Sequence, residues 1–226
     1  AAKNNKESFK KNKNYKFFKT NILNKEKIKN IFIKYKPNGI IHFAAESHVD
    51  RSIKSPEIFF KTNTIGTLRL LEVTKEYLKK HQDNKFRFIH VSTDEVYGSL
   101  KIKDKSFTEK NKFFPNSPYA ASKASSDHIV RSYFKTFDVP AIITNCSNNY
   151  GKNQFPEKLI PLIILNALNK KILPVYGNGR QIRDWLYVDD HCNAIIKIFY
   201  KGKIGETYNI GGNNEIKNID LVQKIC

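Results

Sequence analysis

The sequence predicts a doubly wound α/β fold, in which helices cover both faces of a parallel sheet. Two observations carry this prediction. Three short apolar runs lack the alternation of polar and apolar residues that marks a half-exposed strand, and segments with helical periodicity separate them. The chain has 226 residues, of which 40% are hydrophobic and 12% aromatic, so it can bury a core and intrinsic disorder is excluded.

The predicted helices carry apolar residues three and four positions apart. Ile28 and Phe32 share one face of the first helix, which the Pro-Asn-Gly turn at residues 37–39 ends. Leu68 and Leu71 lie on the apolar face of the second. The helices are predicted over residues 25–36, 56–80, 117–136, 158–169 and 191–200.

The predicted strands are short and bounded by turn residues. They span residues 39–45, 86–93, 141–146, 172–176 and 206–210, and residues 180–190 are predicted to be extended. The pattern changes after Tyr150, where an irregular segment begins. We therefore predict a first domain over residues 1–150 and a smaller, partial lobe over residues 151–226.

The composition narrows the function classes. Forty Lys and Arg against 21 Asp and Glu give a formal net charge of +19, but Lys outnumbers Arg 34 to 6. Recognition of nucleic-acid bases and phosphates favours arginine, whose planar guanidinium group binds two acceptors at once. We therefore expect a solvated basic surface and no nucleic-acid partner. A basic nucleic-acid-binding module, supported by the Lys-rich first 36 residues, is the alternative of another class.

Membrane and metal functions are not expected either. No apolar run reaches the roughly 18 residues that a membrane-spanning helix needs. Cys146, Cys192 and Cys226 are odd in number and far apart, which is typical of a reducing cytoplasm, and Cys146 is predicted to be a core residue. Neither the cysteines nor the six histidines show a metal-ligand spacing, so no metal site is predicted.

A Y-x-x-x-K motif, Tyr119 and Lys123, stands in the predicted helix 117–136. A spacing of four places both side chains on one helix face. An ammonium near a phenol favours the phenolate and lowers the pKa of the tyrosine, which can then take a proton from a sugar hydroxyl. The alternative is an ordinary surface pair, because the motif recurs by chance on exposed helices.

A polar cluster, Ser92-Thr93-Asp94-Glu95, follows the predicted strand 86–93. The carboxyl ends of parallel strands are where α/β proteins bind ligands. Two carboxylates there can act as acid and base if their environments separate their pKa values. They can also simply cap the next turn, and the sequence leaves both interpretations open.

With these motifs the chain resembles the extended short-chain dehydrogenase/reductases, and among them the nucleotide-sugar 4,6-dehydratases. The resemblance covers nearly all of residues 15–226. Its motifs are HFAAESHVDRS at 42–52, TN at 62–63, GT at 66–67, STDEVYG at 92–98, PYAASK at 118–123, NNYG at 148–151, FPEKL at 155–159, PVYG at 174–177 and RDWLYVDDH at 183–191. The Asp94-Glu95 pair favours a dehydratase over the alternative, an NAD-dependent nucleotide-sugar epimerase or decarboxylase of the same extended family.

The resemblance implies an NAD-dependent dehydration of dTDP-glucose. Tyr119, assisted by Lys123, would deprotonate the sugar 4-hydroxyl while hydride leaves C4 for NAD. Glu95 would then remove the C5 proton, and Asp94 would protonate the departing 6-hydroxyl. The hydride would return to C6, and Thr93 would hydrogen-bond the sugar near C4.

The resemblance also implies two sets of binding residues. Tyr119 and Lys123 would contact NAD together with Asn21, Ile22, Phe43, Ala44, Ala45, Glu46, Ser47, Thr62 and Asn149. The nucleotide sugar would lie against Ser47, Thr93, Asn148, Lys158, Leu159, Pro174, Val175, Tyr176, Arg183 and Asn218. The fork of Arg183 suits a diphosphate, and its alternative role is an ion pair with Asp184 or Asp189.

Two features depart from the family. Asn21 stands where the family usually has Asp beside the adenine, although Asn can still hydrogen-bond the base. No G-x-x-G-x-x-G occurs, so the glycine-rich turn and first strands are expected to precede residue 1, and the chain is predicted to begin just before a strand near residues 16–19. The strand at 39–45 would then have an open edge.

The resemblance has two consequences for the assembly and for the isolated chain. These 226 residues alone are expected neither to bind NAD tightly nor to turn over substrate, because the first domain lacks its glycine-rich loop. The full-length protein is expected to be a homodimer, paired through the helices at 56–80 and 117–136.

Overall fold

The computed structural model describes residues 12–81, 85–101, 103–175 and 177–226, and it confirms the predicted α/β fold with a parallel sheet. The described residues form two compact units. The sheet unit comprises Thr20–Cys146 and Asn193–Ile210. The smaller unit comprises Ser147–Cys192 and Gly211–Cys226, together with the described residues before Thr20. The division into a cofactor domain up to residue 150 and a sugar-nucleotide lobe after it stays a prediction.

The strands and helices follow one another along the chain. The strands are β1 Gly39–His42, β2 Arg87–Thr93, β3 Ala141–Cys146, β4 Asn148–Tyr150, β5 Ile182–Tyr187, β6 Thr207–Ile210 and β7 Glu215–Lys217. The α-helices are α1 Lys25–Tyr35, α2 Val49–Lys54, α3 Pro56–Phe59, α4 Gly66–Lys80, α5 Pro118–Phe137, α6 Leu159–Leu168, α7 Val188–Lys201 and α8 Asn218–Ile225.

The sheet unit is built on four parallel strands in the order β1-β2-β3-β6. Successive residues of β2 point to opposite faces, because side chains alternate along a strand. Phe88 belongs to the core that α4 and α5 cover, whereas its neighbour Ile89 packs with Ile142 and with Ile195 of α7. Both faces of the sheet are therefore covered, as the apolar runs predicted.

The helix predicted over residues 56–80 is helical throughout, but its hydrogen bonding changes in the middle. Between α3 and α4 the segment Phe60–Ile65 is a π-helix. π-Helical turns are rare and occur frequently at functional sites. Here the π-helix contains Thr62 and the buried Asn63.

Two predicted strands are wrong. Residues 16–19 and 172–175 form no strand, and a strand persists only where a neighbour accepts its ladder hydrogen bonds. Ile172 is 92% exposed, so its apolar side chain is not part of a sheet face. Tyr176, the last residue of the second predicted strand, lies outside the described residues.

Other boundaries differ by a few residues. The first strand ends at His42, not at Ala45, and the residues that follow run past the end of the sheet. The extended segment predicted over 180–190 is β5 up to Tyr187, and α7 begins at Val188. Asp189 and Asp190 stand in the first turn of α7, where acidic side chains stabilise a helix. The prediction missed the short elements α2, α8, β4 and β7.

The smaller unit has its own three-stranded sheet. β5 pairs in parallel with β4 and antiparallel with β7. The carboxylate of Asp184 in β5 accepts hydrogen bonds from the backbone N–H groups of Gly212 (2.7 Å) and Asn214 (2.8 Å). These bonds fasten the chain before β7 onto β5. Among the described residues, no helix is long and apolar enough to cross a membrane.

Candidate active site

Tyr119 and Lys123 lie in the first two turns of α5. Ser117 caps this helix by accepting the N–H of Ala120 (3.1 Å), and Pro118 stands at its first position, where a missing N–H costs nothing. Both side chains are buried, Tyr119 with 9% and Lys123 with 3% of its surface exposed. An ordinary surface pair would be solvated, so that alternative is wrong.

The ammonium of Lys123 is held by the backbone of β2. Nζ donates a hydrogen bond to the carbonyl oxygen of Val91 (2.8 Å). Burial lowers the pKa of Lys123, and the carboxylate of Asp127 opposes this effect. The side chain is thus fixed at the end of the sheet by a bond that does not involve the phenol.

The phenol of Tyr119 is not acidified in this structure. Burial and the nearby Glu95 carboxylate raise its pKa, and a hydrogen bond with the side chain of Thr93 only partly opposes them. The expectation that Lys123 lowers the pKa of Tyr119 is therefore not met, because desolvation and the carboxylates dominate. A phenolate at Tyr119 requires an additional positive charge beside it.

The two carboxylates stand in a 3₁₀ turn, Asp94–Tyr97, that follows β2 directly. Thr93 caps the turn: its hydroxyl accepts the N–H of Glu95 (3.3 Å) and donates to Oδ1 of Asp94 (3.4 Å). The side chain of Thr93 is therefore the N-cap of this turn. Both raise the pKa of Tyr119, so they lie within electrostatic reach of the phenol. The structure thus brings together the five residues predicted to be catalytic.

The segment after β1 forms a second part of the site. Phe43, Ala44 and Ala45 are exposed beyond the carboxyl end of β1, Phe43 to 53%. An exposed apolar surface at the carboxyl end of a parallel strand fits a flat cofactor such as NAD, since ligands of α/β sheets bind at that end. Ser47 is exposed nearby, and Glu46 is half-buried.

The side chain of Asn63 clamps this segment. Its Oδ1 accepts the N–H of Glu46 (2.8 Å), and its Nδ2 donates to the carbonyl of Glu46 (3.0 Å) and to Oγ of Ser122 (2.8 Å). Ser122 in turn donates to the carbonyl of Tyr119 (2.7 Å). The π-helix that contains Thr62 and Asn63 therefore connects the segment after β1 with the helix that carries the Tyr-Lys pair.

Asn21 and Ile22 have local roles in the structure. Oδ1 of Asn21 accepts the N–H of Leu23 (2.9 Å), which stabilises the turn before α1. Ile22 packs beside Gly66 and the core of the sheet unit. Their predicted contacts with the adenine stay a prediction.

The smaller unit holds Asn149 and most residues predicted to bind the nucleotide sugar. Val175 contacts the turn at Gly179, and this turn accepts the N–H of Ile219 beside Asn218. Oδ1 of Asn218 is buried, and no hydrogen-bond partner for it stands among the described residues. This unit therefore brings Val175 and Asn218 together. Asn148 and Asn149 lie in β4, Lys158 and Leu159 at the start of α6, and Pro174 beside Val175.

Arg183 of β5 is exposed, and its Nη1 donates to the carbonyl of Ile182 (3.0 Å). Within the described part of the chain it makes no ion pair, and Asp184 is occupied by backbone N–H groups. The structural ion pair with Asp184 or Asp189 is therefore not found. The guanidinium fork remains suited to an anionic ligand.

The prediction that Cys146 is a core residue is wrong. Cys146 is half-buried, and its Sγ lies 3.4 Å from the carbonyl oxygen of Ser92.

Sequence reasoning missed the polar residues behind the Tyr-Lys pair. Asp127 is 1% exposed and stands four residues after Lys123, on the same helix face. Extending the Y-x-x-x-K motif by one helical turn would have found Asp127. No local signal marks the buried His90, because it lies in an apolar strand.

Two buried histidines, His42 and His90, predict a pH-dependent stability. Burial lowers the pKa of both, so the folded chain keeps them neutral while the unfolded chain binds protons below about pH 6.5. Stability should therefore fall on acidification. Between about pH 7.5 and pH 5.5, we expect the free energy of unfolding in urea to fall by about 1.4 kcal/mol more in the wild type than in His42→Gln.

Gln is the informative replacement because it keeps a partner for Oγ1 of Thr67, which lies 2.9 Å from Nε2 of His42. The substitution thus removes the titratable imidazole and leaves a polar partner for Thr67. An equal loss of stability in the two proteins would mean that His42 is protonated in the folded state as easily as in the unfolded chain.

The class of the protein follows from this arrangement of fold and site. A parallel sheet with a buried Tyr-Lys pair beside its carboxyl ends places the chain among the short-chain dehydrogenase/reductases. A family model described as GDP-mannose 4,6 dehydratase matches residues 1–226, and the chain belongs to this family. The resemblance inferred from the motifs is confirmed.

Curated relatives and solved structures are similar over nearly the whole chain. A dTDP-glucose 4,6-dehydratase of Escherichia coli is 55% identical over 95% of this chain and 62% of its own length. A structure of dTDP-glucose 4,6-dehydratase from Bacillus anthracis in complex with NAD is 48% identical, with a TM-score of 0.87 over 98% of this chain and 66% of that one. The Streptomyces venezuelae dTDP-glucose 4,6-dehydratase with NAD and TYD bound is 41% identical, with a TM-score of 0.92 over 99% of this chain and 66% of that one. The chain thus spans 55% to 63% of the length of these and other similar curated relatives.

Proposed function

We propose that this chain carries the catalytic residues of an enzyme that dehydrates dTDP-glucose to dTDP-4-keto-6-deoxyglucose with NAD as cofactor. The observation that carries the proposal is the Thr93-Asp94-Glu95 turn, whose two carboxylates act electrostatically on the buried phenol of Tyr119. An oxidation alone needs the Tyr-Lys pair, whereas an elimination also needs an acid and a base. The names of the similar proteins support the same reaction.

Tyr119 is the base that takes the proton of the sugar 4-hydroxyl, and Lys123 assists it with its charge. When bound, NAD supplies the hydride acceptor and a positive charge that favours a phenolate. The residues proposed to hold it are Phe43, Ala44, Ala45, Glu46, Ser47 and Thr62, with Asn21 and Ile22 toward the adenine and Asn149 toward the nicotinamide.

The carboxylates divide the elimination between them. Glu95 removes the C5 proton, which the neighbouring 4-keto group acidifies. Asp94 protonates the departing 6-hydroxyl, and its hydrogen bond from Thr93 orients its carboxyl group. Such a division requires that the environments of the two groups separate their pKa values.

The residues proposed to contact the nucleotide sugar are those that the resemblance implies. Thr93 and Ser47 would be among them. Arg183 would bind the diphosphate with its fork, because planar guanidinium groups grip oxygen atoms in pairs. The remaining contacts would come from Asn148, Lys158, Leu159, Pro174, Val175, Tyr176 and Asn218.

The assay that tests the proposal is turnover by the full-length protein. With dTDP-glucose, we expect a 4-keto-6-deoxy product, which is detected by its absorbance in alkali. UDP-glucose differs from dTDP-glucose in the nucleotide alone, and GDP-mannose differs in both nucleotide and sugar. Epimerisation of UDP-glucose, or decarboxylation of a UDP-hexuronic acid with release of CO₂, in each case without any 4-keto-6-deoxy product from dTDP-glucose, would favour the alternative enzymes. Binding of DNA without any turnover would favour the basic binding module.

We further propose a homodimer of the full-length protein, paired through the helical segments at 56–80 and 117–136. Large apolar side chains are exposed along the first of these, including Ile58, Phe60 and Ile65, and Phe137 is exposed at the end of α5. A surface of this kind is typical of helix–helix interfaces. Light scattering should give the mass of two chains at micromolar concentration, and a monomer at that concentration would contradict the pairing.

A further inference from the structure

The catalytic lysine has a buried countercharge. In the described part of the chain, Lys123 is the only buried Lys or Arg and Asp127 the only buried Asp or Glu. The two stand one helical turn apart on α5, so they project from the same helix face. A charge is rarely buried without an opposite charge nearby, because desolvation is costly.

Asp127 is held by the two central strands of the sheet. Its Oδ2 accepts hydrogen bonds from Oγ of Ser92 (2.9 Å) in β2 and Nδ2 of Asn145 (3.3 Å) in β3. Its Oδ1 lies 3.1 Å from Nε2 of the fully buried His90. We call these four residues, Asp127, Ser92, Asn145 and His90, the Asp127 cluster.

The Asp127 cluster and Lys123 together fasten α5 to the end of β2. Lys123 donates to the carbonyl of Val91, and Asp127 accepts from Ser92, the next residue along the strand. Asn145 also donates to the carbonyl of Thr93 (3.1 Å), the residue that caps the Asp94–Tyr97 turn. One carboxylate thus connects the helix of the Tyr-Lys pair with the strand end that carries the acidic pair.

The charges that surround Lys123 leave Asp127 as its main stabilising partner. His42 and His90 remain neutral, because burial lowers the pKa of each. The thiol of Cys146 acts in the same direction as Asp127 but more weakly. Burial raises the pKa of Asp127 itself to about 6, while Lys123, Ser92, Asn145 and, most weakly, His128 act to lower it.

We propose that Asp127 is a positioning residue for the proposed reaction, whose buried carboxylate keeps Lys123 in its ammonium form and fixes α5 against the strand end that carries Thr93. This inference rests on the proposed function, because it assigns Asp127 a role through the Tyr-Lys pair. Asp127 is not among the residues proposed to contact the sugar or the cofactor.

Asp127→Asn tests the charge with little change in shape. The amide oxygen can still accept from Ser92 and Asn145, and the amide nitrogen can face His90. The matched control is Asp138→Asn, the same change at the exposed C-terminal cap of α5, where φ is 54° and Asn is readily accommodated. Ser92→Ala removes one hydrogen bond of the carboxylate and leaves the carboxyl group of Asp127 in place.

The first measurement is the titration of Lys123, which does not require turnover. In the full-length protein with ¹³C-labelled lysine, the Lys123 signal is assigned by its loss in Lys123→Met. We expect it to titrate about one to two pH units lower in Asp127→Asn than in the wild type, and at the wild-type pH in Asp138→Asn. An unchanged titration in Asp127→Asn would overturn the proposal.

The second measurement is the rate of NAD reduction in a single turnover at several pH values. Near neutral pH we expect Asp127→Asn to slow this step roughly tenfold, with the dissociation constants of NAD and dTDP-glucose unchanged. As the pH rises and Lys123 loses its proton, the rate of Asp127→Asn should begin to fall at a lower pH than that of the wild type. Ser92→Ala should be slower, but its rate should begin to fall at the same pH as in the wild type. A uniform loss with weakened binding would instead mean that Asp127 has only a structural role.

The two measurements separate this inference from the proposed function. If the wild type reduces no NAD with any nucleotide sugar, the proposed function fails, and the Lys123 titration still decides the role of Asp127. If circular dichroism shows that Asp127→Asn does not fold, Asp127→Ser takes its place, because it also removes the charge and leaves a hydroxyl toward Ser92. A normal Lys123 titration in that variant would equally overturn the proposal.

Discussion

Tyr119→Phe should abolish the oxidation of the sugar, with a loss of roughly 10²-fold or more in the rate of NAD reduction. Phe keeps the ring that packs edge-on against Phe59, with 6.4 Å between the ring centroids, and it removes the hydroxyl that bonds with Thr93. In the proposed mechanism no other residue is assigned to accept the proton of the 4-hydroxyl. The appearance of NADH absorbance in a single turnover of the full-length protein measures this step directly.

The matched control for this variant is Tyr133→Phe. Tyr133 lies on the same helix, and its hydroxyl donates to Glu72 rather than to a residue of the site. It should retain the wild-type rate, while its stability reports the cost of losing a tyrosine hydroxyl on α5. A near-normal rate in Tyr119→Phe would return the Tyr-Lys pair to a purely structural role.

Glu95→Gln should separate the oxidation from the elimination. Only the removal of the C5 proton needs a carboxylate at this position, so NADH should form at a rate close to that of the wild type and then persist. Product formation should fall roughly 10²-fold or more, the usual range for a positioned base. Gln preserves the length of the side chain, so the 3₁₀ turn capped by Thr93 should remain.

Deuterium exchange identifies the step that is lost. In deuterated water, mass spectrometry should find solvent deuterium at C5 with the wild type and none with Glu95→Gln. Glu109→Gln is the control, because Glu109 is exposed and has no role in the proposed reaction, and Gln can still accept the backbone N–H of Asn209. Normal incorporation of deuterium at C5 in Glu95→Gln would assign the C5 proton to a different base.

Removal of the Glu95 charge should also change the oxidation in a measurable way. Burial raises the pKa of Tyr119 most, and the charge of Glu95 makes the next largest contribution. In Glu95→Gln the phenol of Tyr119 should therefore ionise more easily. The acidic limb of the pH profile for the rate of NAD reduction should then move to lower pH. This sign follows because a neighbouring negative charge disfavours a phenolate.

Local sequence patterns were sufficient to predict the central strands and the large helices. The apolar runs 86–93 and 141–146 lie within one residue of β2 and β3, because a strand covered on both faces is rich in apolar residues without regular alternation. The helix predicted at 117–136 is α5 shifted by one residue, since Ser117 and Pro118 mark its start. The patterns failed at residues 16–19 and 172–175, where β-compatible residues have no strand beside them.

The π-helix shows a different limit of local reasoning. The residues of Phe60–Ile65 are compatible with a regular α-helix, and their spacing predicted one. In the folded chain Asn63 instead bonds both backbone groups of Glu46, a residue 17 positions earlier, and reaches Ser122 on α5. Hydrogen bonds between distant segments determine this turn, so periodicity alone did not predict it.

By itself, the sequence determined which residue types are available for the chemistry and on which local elements they lie. The spacing of Tyr119 and Lys123, and the position of Asp94 and Glu95 after an apolar strand, depend only on periodicity and on strand ends. Only the tertiary structure decided the charge states of these groups. Burial and the neighbouring carboxylates raise the pKa of Tyr119, and Asp127 opposes the desolvation of Lys123. The pKa of a group depends on its desolvation and on its distance from other charges, and both arise from contacts between segments that are far apart in the sequence.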